Sequence, residues 1–449
     1  MTAAPQRPHR RQLHLNVNIL HSGFVPSAWR LDEADPRAFV DVGHYVRVAR
    51  IAEVAKFDAV FLADNASIVD QLDFRPITAL EPTILLATIA AATTHIGLIG
   101  TASTSYNEPF NLARRFASLD HASGGRAGWN VVTTADSGSA RNFGLDAAPD
   151  HSERYARATE FVEVVKALWD SWDDDAIVGD KANGRFVDTS KVHPIAHRGM
   201  HFRVHGPLNL PRSPQGHPVL VQAGGSADGQ AFAARHAEAV FSASQSFDEA
   251  LGYARGLKAA AAAHGRSLKV LPGLTTIVGA TEADAQRRRD ELIDLIPLRY
   301  SLNRIAATLG VPVERLNPDA PLPDDLAPPD GGNGNHTFFN ATLAYARRHR
   351  CTVREFVRAM AGGTGHRVIV GTPEQIAGDI AHWFDAGAAD GFNLMPDVLP
   401  GGLQDFVDGV VPVLQRRGIF RTEYEGATLR DHLGLSRPVS ACSDGTAGG

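Results

Sequence analysis

Short apolar runs that alternate with helical stretches are the feature that most restricts how this chain can fold. Eight such runs lie at 13–20, 58–63, 96–101, 128–133, 218–223, 238–243, 270–278 and 391–395. Several are apolar at nearly every position, which is typical of parallel strands buried on both faces. Stretches with helical spacing separate the runs, among them 42–56, 81–93, 109–118 and 153–172. The pattern predicts an α/β fold, a (β/α)8 TIM barrel, with a doubly wound sheet as the less favoured alternative.

Two stretches interrupt the alternation. Residues 173–216 lie between the fourth and fifth predicted strands, and residues 300–365 lie between the seventh and eighth. Both are rich in Gly, Pro and Asp, and insertions of this length are typically lids or binding loops. We therefore predict a single domain over 13–438 with these two insertions. A flexible lead (1–12) would precede it, and a disordered tail (439–449) would follow.

Charge and cysteine content exclude several classes of partner. The formal net charge is −6, which argues against binding to nucleic acid or to an anionic membrane surface. The two cysteines, Cys351 and Cys442, are too few and too far apart for a disulfide framework or a thiolate zinc site. No apolar run reaches the ~20 residues that a membrane span requires. These features predict a cytoplasmic protein that acts on small molecules.

Polar residues follow several predicted strands, at the end of the barrel where active sites form. Asp64 follows the second strand, Thr101 ends the third, and Asn130 lies in the fourth. The fifth strand runs into Gly224-Gly225-Ser226. A carboxylate, hydroxyls, an amide and a glycine turn suit a hydrogen-bonding ligand that carries a phosphate.

Two predicted helix starts could bind that phosphate. Ser226 precedes a helix, so its hydroxyl and the free backbone N–H groups could contact an anion. His151 and Tyr155 lie in the first turn and a half of another helix, where the helix dipole also favours negative charge. Alternatively, Ser226 and Ser152 only cap helices and Tyr155 packs in the core. Spacing alone favours this second interpretation, because such caps are common.

A histidine repeat could suggest a metal site. Four histidines recur at intervals of four residues: His193, His197, His201 and His205. On a helix this spacing would align four ligands on one face. Pro194 and Gly199 interrupt any continuous helix, so we predict no metal site.

Longer strings resemble a known family. They are KFDAVFLAD (56–64), TASTSYNEPFNLARRFASLDHASGGRAGWNVVT (101–133), HSERYARATEFVEVVKALWDSW (151–172), GPLNLPRSPQGHPVLVQAGGS (206–226), VGTPEQIA (370–377) and DGFNLMPDVLPGGLQDFVDGVVPVLQRRG (390–418). The chain resembles the bacterial-luciferase-like flavin-dependent two-component monooxygenases from about residue 13 to 438. Within them it is most similar to the branch of nitrilotriacetate, EDTA and dibenzothiophene-sulfone monooxygenases.

The resemblance implies a reaction and its partners. Reduced FMN (FMNH2), supplied by a separate NAD(P)H:FMN reductase, would react with O2, and one oxygen atom would enter a small organic substrate. The absence of a GxGxxG motif after a predicted strand agrees with NAD(P)H being oxidised by another protein. A homodimer or homotetramer is the implied assembly.

The resemblance also implies site residues. Six positions match flavin contacts of the family: Asp64, Thr101, Asn130, His151, Tyr155 and Ser226. His21, just after the first strand, and His336, in the second insertion, are the candidates for catalysis. A histidine there could hydrogen-bond or deprotonate a reacting group near neutral pH, although a packing or surface role is the alternative for each.

Three other functions remain open from the sequence. The same fold could bind the deazaflavin F420 for hydride transfer, or it could bind flavin without turnover. The 19 histidines could suggest a metal-dependent barrel hydrolase, but the first strand lacks the H-x-H ending that such a site needs.

Overall fold

The computed structural model describes residues 11–68, 72–77, 80–326, 343, 346, 349–360 and 366–440. Its strands are β1 (His14–Asn18), β2 (Ala59–Leu62), β3 (Gly97–Ser103), β4 (Ala127–Val132), β5 (Ile177–Asp180), β6 (Arg185–Val187), β7 (His197–Arg198), β8 (Arg203–Val204), β9 (Val219–Gln222), β10 (Ala239–Ser242), β11 (Lys269–Val278), β12 (Arg367–Gly371) and β13 (Gly391–Leu394).

Helices connect most of these strands. They are α1 (Val42–Val54), α2 (Pro82–Ala92), α3 (Pro109–Ser123), α4 (Ser137–Asn142), α5 (His151–Trp169), α6 (Ala227–His236), α7 (Phe247–Ala263), α8 (Glu282–Asp294) and α9 (Leu298–Leu309). Further helices cover Val353–Met360, Pro373–Asp385, Gly401–Asp405, Val411–Arg416 and Leu429–His432. Within the described ranges, every helix is too short or too polar to span a lipid bilayer.

Eight parallel strands close into a ring in the order β1-β2-β3-β4-β9-β10-β11-β13. The ring closes where β13 pairs with β1, with His14 opposite Gly391. Each predicted apolar run overlaps one strand of the ring. The predicted (β/α)8 barrel is therefore confirmed, and the alternative of a doubly wound sheet is wrong.

One further strand lies outside the ring. β12 pairs in parallel with the upper half of β11, from Leu274 opposite Arg367 to Val278 opposite Gly371. The lower half of β11 pairs with β10 instead, from Lys269 to Pro272. β12 thus pairs with the part of β11 that extends past the end of β10, and it lengthens the barrel wall on the side of the strands' carboxyl ends. The sequence analysis did not predict this strand.

Alternation along the strands separates an outer core from the barrel interior. In β1 the apolar side chains Leu15 and Val17 belong to the core between the strands and the helices. Asn16 and Asn18 lie on the opposite face of the same strand, inside the barrel. The lower interior is apolar and contains Phe61, Ile99, Val219, Val221 and Leu271. The barrel interior therefore has an apolar lower part, with polar side chains such as Asn16 and Asn18 among the residues of its inner face.

The two insertions have different structures. The first, after α5, contains the antiparallel hairpins β5–β6 and β7–β8. The second contains α9 and the helix Val353–Met360, which pack on each other around Leu309 and Phe356. Much of the second insertion, including His336, lies outside the described residues, as do residues 1–10 and 441–449. The domain boundaries therefore stay a prediction.

A C-terminal plug closes the lower end of the barrel. We use this name for the helix Leu429–His432 together with Arg421 and Leu433. Leu429 and Leu433 join the interior core. Gly97 makes room for the plug, because a Cβ at this position would lie 2.5 Å from a methyl group of Leu429. Only the opposite end, where the strands have their carboxyl ends, is left for a site.

A buried ion pair holds the plug in place. Asp58, fully buried, accepts a hydrogen bond from Arg421 (Nη2–Oδ1, 2.7 Å), and His14 Nδ1 lies 3.0 Å from the same oxygen. Its second oxygen accepts from the backbone N–H of Leu15 at 2.7 Å. Burial alone would raise the pKa of Asp58, but Arg421 and His14 lower it to about 2. The carboxylate is thus charged and fully compensated at neutral pH.

Asp58→Asn should destabilise the protein by about 3–5 kcal/mol, because it leaves Arg421 buried without a counter-charge. The pKa of Asp58, about 2, lies below its ordinary value of 3.8, so the stabilisation is present above about pH 4 and is lost as the pH falls towards 2. Denaturant unfolding at neutral pH measures the loss. The matched control is Asp325→Asn, in an exposed pair with Arg315, which should cost less than about 1 kcal/mol. Equal losses for the two variants would contradict the assignment.

Candidate active site

The open end of the barrel, which we call the mouth, is formed by the carboxyl ends of the ring strands. Thr101 on β3 and Asn130 on β4 are opposite each other in the sheet. Both are buried, and Asn130 Nδ2 donates to Thr101 Oγ1 at 2.9 Å. Asn130 Oδ1 is buried without a partner among the described residues. Since buried polar atoms are normally hydrogen-bonded, this oxygen is suited to accept from a ligand.

Asp64 lies two residues beyond the end of β2, the strand that pairs with β3. The side chain is exposed to solvent within the mouth, but the surrounding protein and the nearby charge of Glu81 raise its pKa. A carboxylate in this position can accept hydrogen bonds from a ligand.

The loop after Asp64 is fastened to the segment after β4. Ser67 Oγ donates to Asp136 Oδ1 at 2.7 Å, and Ser139 Oγ donates to Asn65 Oδ1 at 3.2 Å. Asp136 also caps α4, accepting from the backbone N–H of Ser139. These bonds hold the Asp64 loop in a fixed position relative to β4.

A second cluster forms where α6 begins. Ser226 caps this helix, and its Oγ accepts from the backbone N–H of Gly229 at 3.1 Å. The Tyr155 hydroxyl lies next to the same turn, because a Cβ on Gly229 would lie 3.0 Å from it. A Cβ on Gly225 would meet no atom within 4 Å, so the space next to this glycine is open to a ligand. A helix start with a hydroxyl on either side is suited to an anion such as phosphate.

His151, the first residue of α5, completes this cluster. Its ring lies 4.9 Å from that of Tyr155, and Nδ1 lies 2.9 Å from Oδ2 of Asp228. Asp228 lies in the first turn of α6, where an unpaired carboxylate would repel an anion. The contact with His151 gives this carboxylate a hydrogen-bonding partner. The structure therefore brings His151, Tyr155 and Ser226 together, as the sequence analysis expected.

His21 lies in a different environment from the one expected. It is buried, its Nε2 accepts from Arg75 Nη2 at 3.1 Å, and its backbone oxygen accepts from His44 Nε2 at 2.8 Å. Burial, followed by the charges of Arg75 and His44, lowers the pKa of His21 to about 3. A ring with this pKa is neutral and weakly basic at pH 7. A lowered pKa favours a neutral hydrogen-bonding role for His21 over that of a base, and its part in catalysis stays a prediction.

The structure adds a histidine that the sequence analysis missed. His366 immediately precedes β12, and its ring stacks on Phe241 with a centroid distance of 5.0 Å and an interplanar angle of 8°. Phe241 in turn contacts Phe61, at 5.6 Å. We call these three rings the aromatic wall, which runs from Phe61 in the apolar interior to His366 nearer the mouth. The sequence offered no signal, because His366 follows a glycine-rich stretch with no recognisable strand.

The histidine repeat of the first insertion does not form a helix. His197 lies on β7, and its Nε2 is 2.9 Å from Glu160 Oε1. His193 contacts a different carboxylate, Asp173, at 3.2 Å. Among the described residues, no group of three or more His, Cys, Asp or Glu side chains could hold a metal ion.

A groove of about 710 Å³ lies on the outer surface, between α2 and α3. Thr83, Ala87 and Arg114 are among its lining residues, and it includes none of the predicted site residues. We place the candidate site at the mouth, because the buried unpartnered oxygen and the helix-start cluster lie there.

Comparison with known proteins finds relatives that match most of the chain. The family model described as luciferase-like monooxygenase matches residues 23–390. Nitrilotriacetate monooxygenase component A of Aminobacter aminovorans is 46% identical, over 96% of this chain and 98% of that protein. N-acetyl-S-(2-succino)cysteine monooxygenase of Bacillus subtilis is 43% identical, over 96% and 98%. Among solved structures, EDTA monooxygenase from Chelativorans sp. BNC1 superposes with a TM-score of 0.78 at 38% identity, over 95% of this chain and 99% of that one.

His21→Gln should reduce the sensitivity of the protein to acid. Because the folded-state pKa of His21, about 3, lies below the ordinary 6.5, the unfolded chain binds the proton first. Stability is therefore lost as the pH falls below about 6.5. Glutamine can still accept from Arg75 but does not titrate. Between about pH 7 and about pH 5.5, the variant should lose about 1 kcal/mol less unfolding free energy than the wild type. The same loss in both proteins, measured by denaturant unfolding, would refute the shifted pKa.

Proposed function

The chain belongs to the luciferase-like monooxygenase family, and on that premise we propose that it is the oxygenase component of a two-component system that uses FMNH2. In the overall reaction, one atom of O2 enters the C–H, S or N centre of a small organic substrate and the other leaves as water. Reduced flavin supplies the two electrons and two protons that this balance requires. A separate NAD(P)H:FMN reductase would provide the reduced flavin.

The cluster at the start of α6 is the observation that carries the choice of FMN. FMN ends in a phosphate, and Ser226, Tyr155 and the free N–H groups of α6 offer hydrogen-bond donors to it. His151 Nδ1 contacts Asp228, which holds the imidazole beside this cluster. A cofactor without a phosphate would leave this cluster without a use.

The ring system and the ribityl chain of FMN would use the other predicted residues. Asn130 Oδ1 can accept from a flavin N–H, and Thr101 is already fixed beside it by a 2.9 Å bond. Asp64 can accept from a ribityl hydroxyl or a flavin N–H. The six residues thus fit the donors and acceptors of FMN, and each of these roles is part of the proposal.

No side chain is needed as a nucleophile in this reaction. The protein's part is to bind, orient and exclude water. The aromatic wall supplies apolar surface, and His21 and Asn130 supply neutral hydrogen-bonding groups. The proposal of a homodimer or homotetramer in the cytoplasm rests on the family resemblance alone.

Anaerobic titration with FMNH2 tests the proposal. We expect the wild type to bind reduced FMN and to change its rate of reoxidation when O2 is admitted. Ser226→Ala should weaken FMNH2 binding about 10-fold or more, because it removes a hydrogen bond to a charged group. Tyr155→Phe should have a similar effect.

Ser246→Ala is the matched control for this titration. Ser246 caps α7 by the same type of bond, to the backbone N–H of Glu249. Both alanine variants should cost about 1 kcal/mol of stability, but only the one at Ser226 should weaken flavin binding. Equal binding by wild type and Ser226→Ala would refute the phosphate assignment. Tighter binding of F420 than of FMNH2 by the wild type would favour hydride transfer instead.

A further inference from the structure

Three neighbouring strands of the ring, β1, β13 and β11, carry buried polar atoms that form no hydrogen bond with any described residue. They are Oδ1 of Asn16, Oδ1 of Asn18, Oγ1 of Thr275 and both side-chain polar atoms of Asn393. Each of these four residues is at most 3% exposed. In the sheet, Asn16 is opposite Asn393, and Asn393 is opposite Gly273. Leaving buried polar groups without partners costs free energy, and their accumulation on one side of a barrel indicates a ligand.

His366 borders this polar group. A Cβ on Gly273 would lie 2.4 Å from His366 Nδ1 and 2.7 Å from the ring of Phe241. Only a glycine at this position therefore leaves room for the imidazole of His366. Thr275, two residues further along β11, lies on the same face of the strand as Gly273. No hydrogen bond to His366 is found within the described part of the chain, and its Nδ1 is buried. The aromatic wall and the unpartnered polar atoms are therefore adjacent.

The polar group around His366 is electrically neutral, and the Arg75 guanidinium on the β1 side is hydrogen-bonded to His21. Burial alone lowers the pKa of His366 to about 4, with no contribution from any charged side chain. The ring is uncharged at neutral pH, and the amides and hydroxyl beside it carry no charge. An ionised group bound here would lose its hydration without gaining a counter-charge. An uncharged group could accept and donate hydrogen bonds at no such cost.

We propose that Asn393, Thr275 and His366 form a subsite for an uncharged hydrogen-bonding group of the substrate, such as an amide or a sulfone, beside the aromatic wall. This inference rests on the proposed function, because it assigns strands β2, β3, β4 and β9 to the flavin and leaves β1, β11 and β13 to the substrate. The substrate would thus differ in charge from nitrilotriacetate, the compound named for the relative of 46% identity.

Benzamide and benzoate are suitable probes, because they share a planar aromatic scaffold and differ in the charge of one group. Ligand-observed NMR on the full chain measures both dissociation constants. The wild type should bind benzamide about 10-fold more tightly than benzoate. His366→Phe keeps the stack on Phe241 but removes both ring nitrogens, so it should weaken benzamide binding about 3- to 10-fold.

Thr275→Val separates a binding role from a structural one. The variant keeps the shape of the side chain and removes the unpartnered hydroxyl. We expect the unfolding temperature to stay the same or rise, while benzamide binding weakens about 3- to 10-fold. The control is Thr276→Val, because Thr276 is equally buried but lies on the opposite face of β11. This control should leave benzamide binding unchanged.

Three results would overturn the subsite. They are no binding of benzamide by the wild type, benzoate binding as tight as that of benzamide, and a Thr275→Val variant that is less stable but binds benzamide normally.

Titration with FMNH2 in the same variants distinguishes a failure of this proposal from a failure of the proposed function. If Thr275→Val weakens the binding of FMNH2 as much as the binding of benzamide, the subsite belongs to the flavin and the proposal fails. If the wild type binds benzamide selectively but not FMNH2, the subsite stands and the proposed function fails.

Discussion

A buried ion pair between Asp58 and Arg421 joins the start of the second ring strand to the C-terminal plug, which a second pair, Arg430 with Glu238, also holds. Closing a parallel sheet into a ring leaves two open ends, and a floor is needed before one end can act as a binding site. The plug provides that floor with Leu429 and Leu433, and the ion pair fixes its position. Because this floor is apolar, it offers no hydrogen-bonding partner to the polar atoms higher in the barrel. The site at the mouth therefore depends on an interaction at the other end of the barrel.

The sequence predicted those parts of the fold and the site that local patterns determine. The ring strands were found because burial on both faces makes their sequences continuously apolar. The cluster at α6 was found because a glycine turn before a helix and a histidine–tyrosine spacing are local signals. The helices α5 and α6 both begin at the mouth, so residues distant in sequence meet there.

What the sequence did not predict depends on contacts between distant segments. β12 is only partly buried over most of its length and has a partner on one side, so its sequence does not have the pattern of a ring strand. The pKa of His21 is set by burial and by Arg75 and His44, neither of which a local pattern can place. Asn393 lies within an apolar run, where a single amide does not change the prediction of a strand. Only the register with β1 and β11 reveals that it lies among other unpartnered groups.

The order in which the chain is synthesised gives the ion pair a further consequence. Asp58 and Arg421 are 363 residues apart, so a ribosome that adds about 5–20 residues per second needs roughly 20–70 s to make the second after the first. For most of this interval β1 lacks β13 on one edge of the sheet, and throughout it Asp58 lacks the counter-charge of Arg421. Until β13 is made, the first half of the barrel can form only an open sheet with an unpaired edge, which is prone to aggregation. For this fold, protection of the nascent chain is as much a requirement as the stability of the finished barrel.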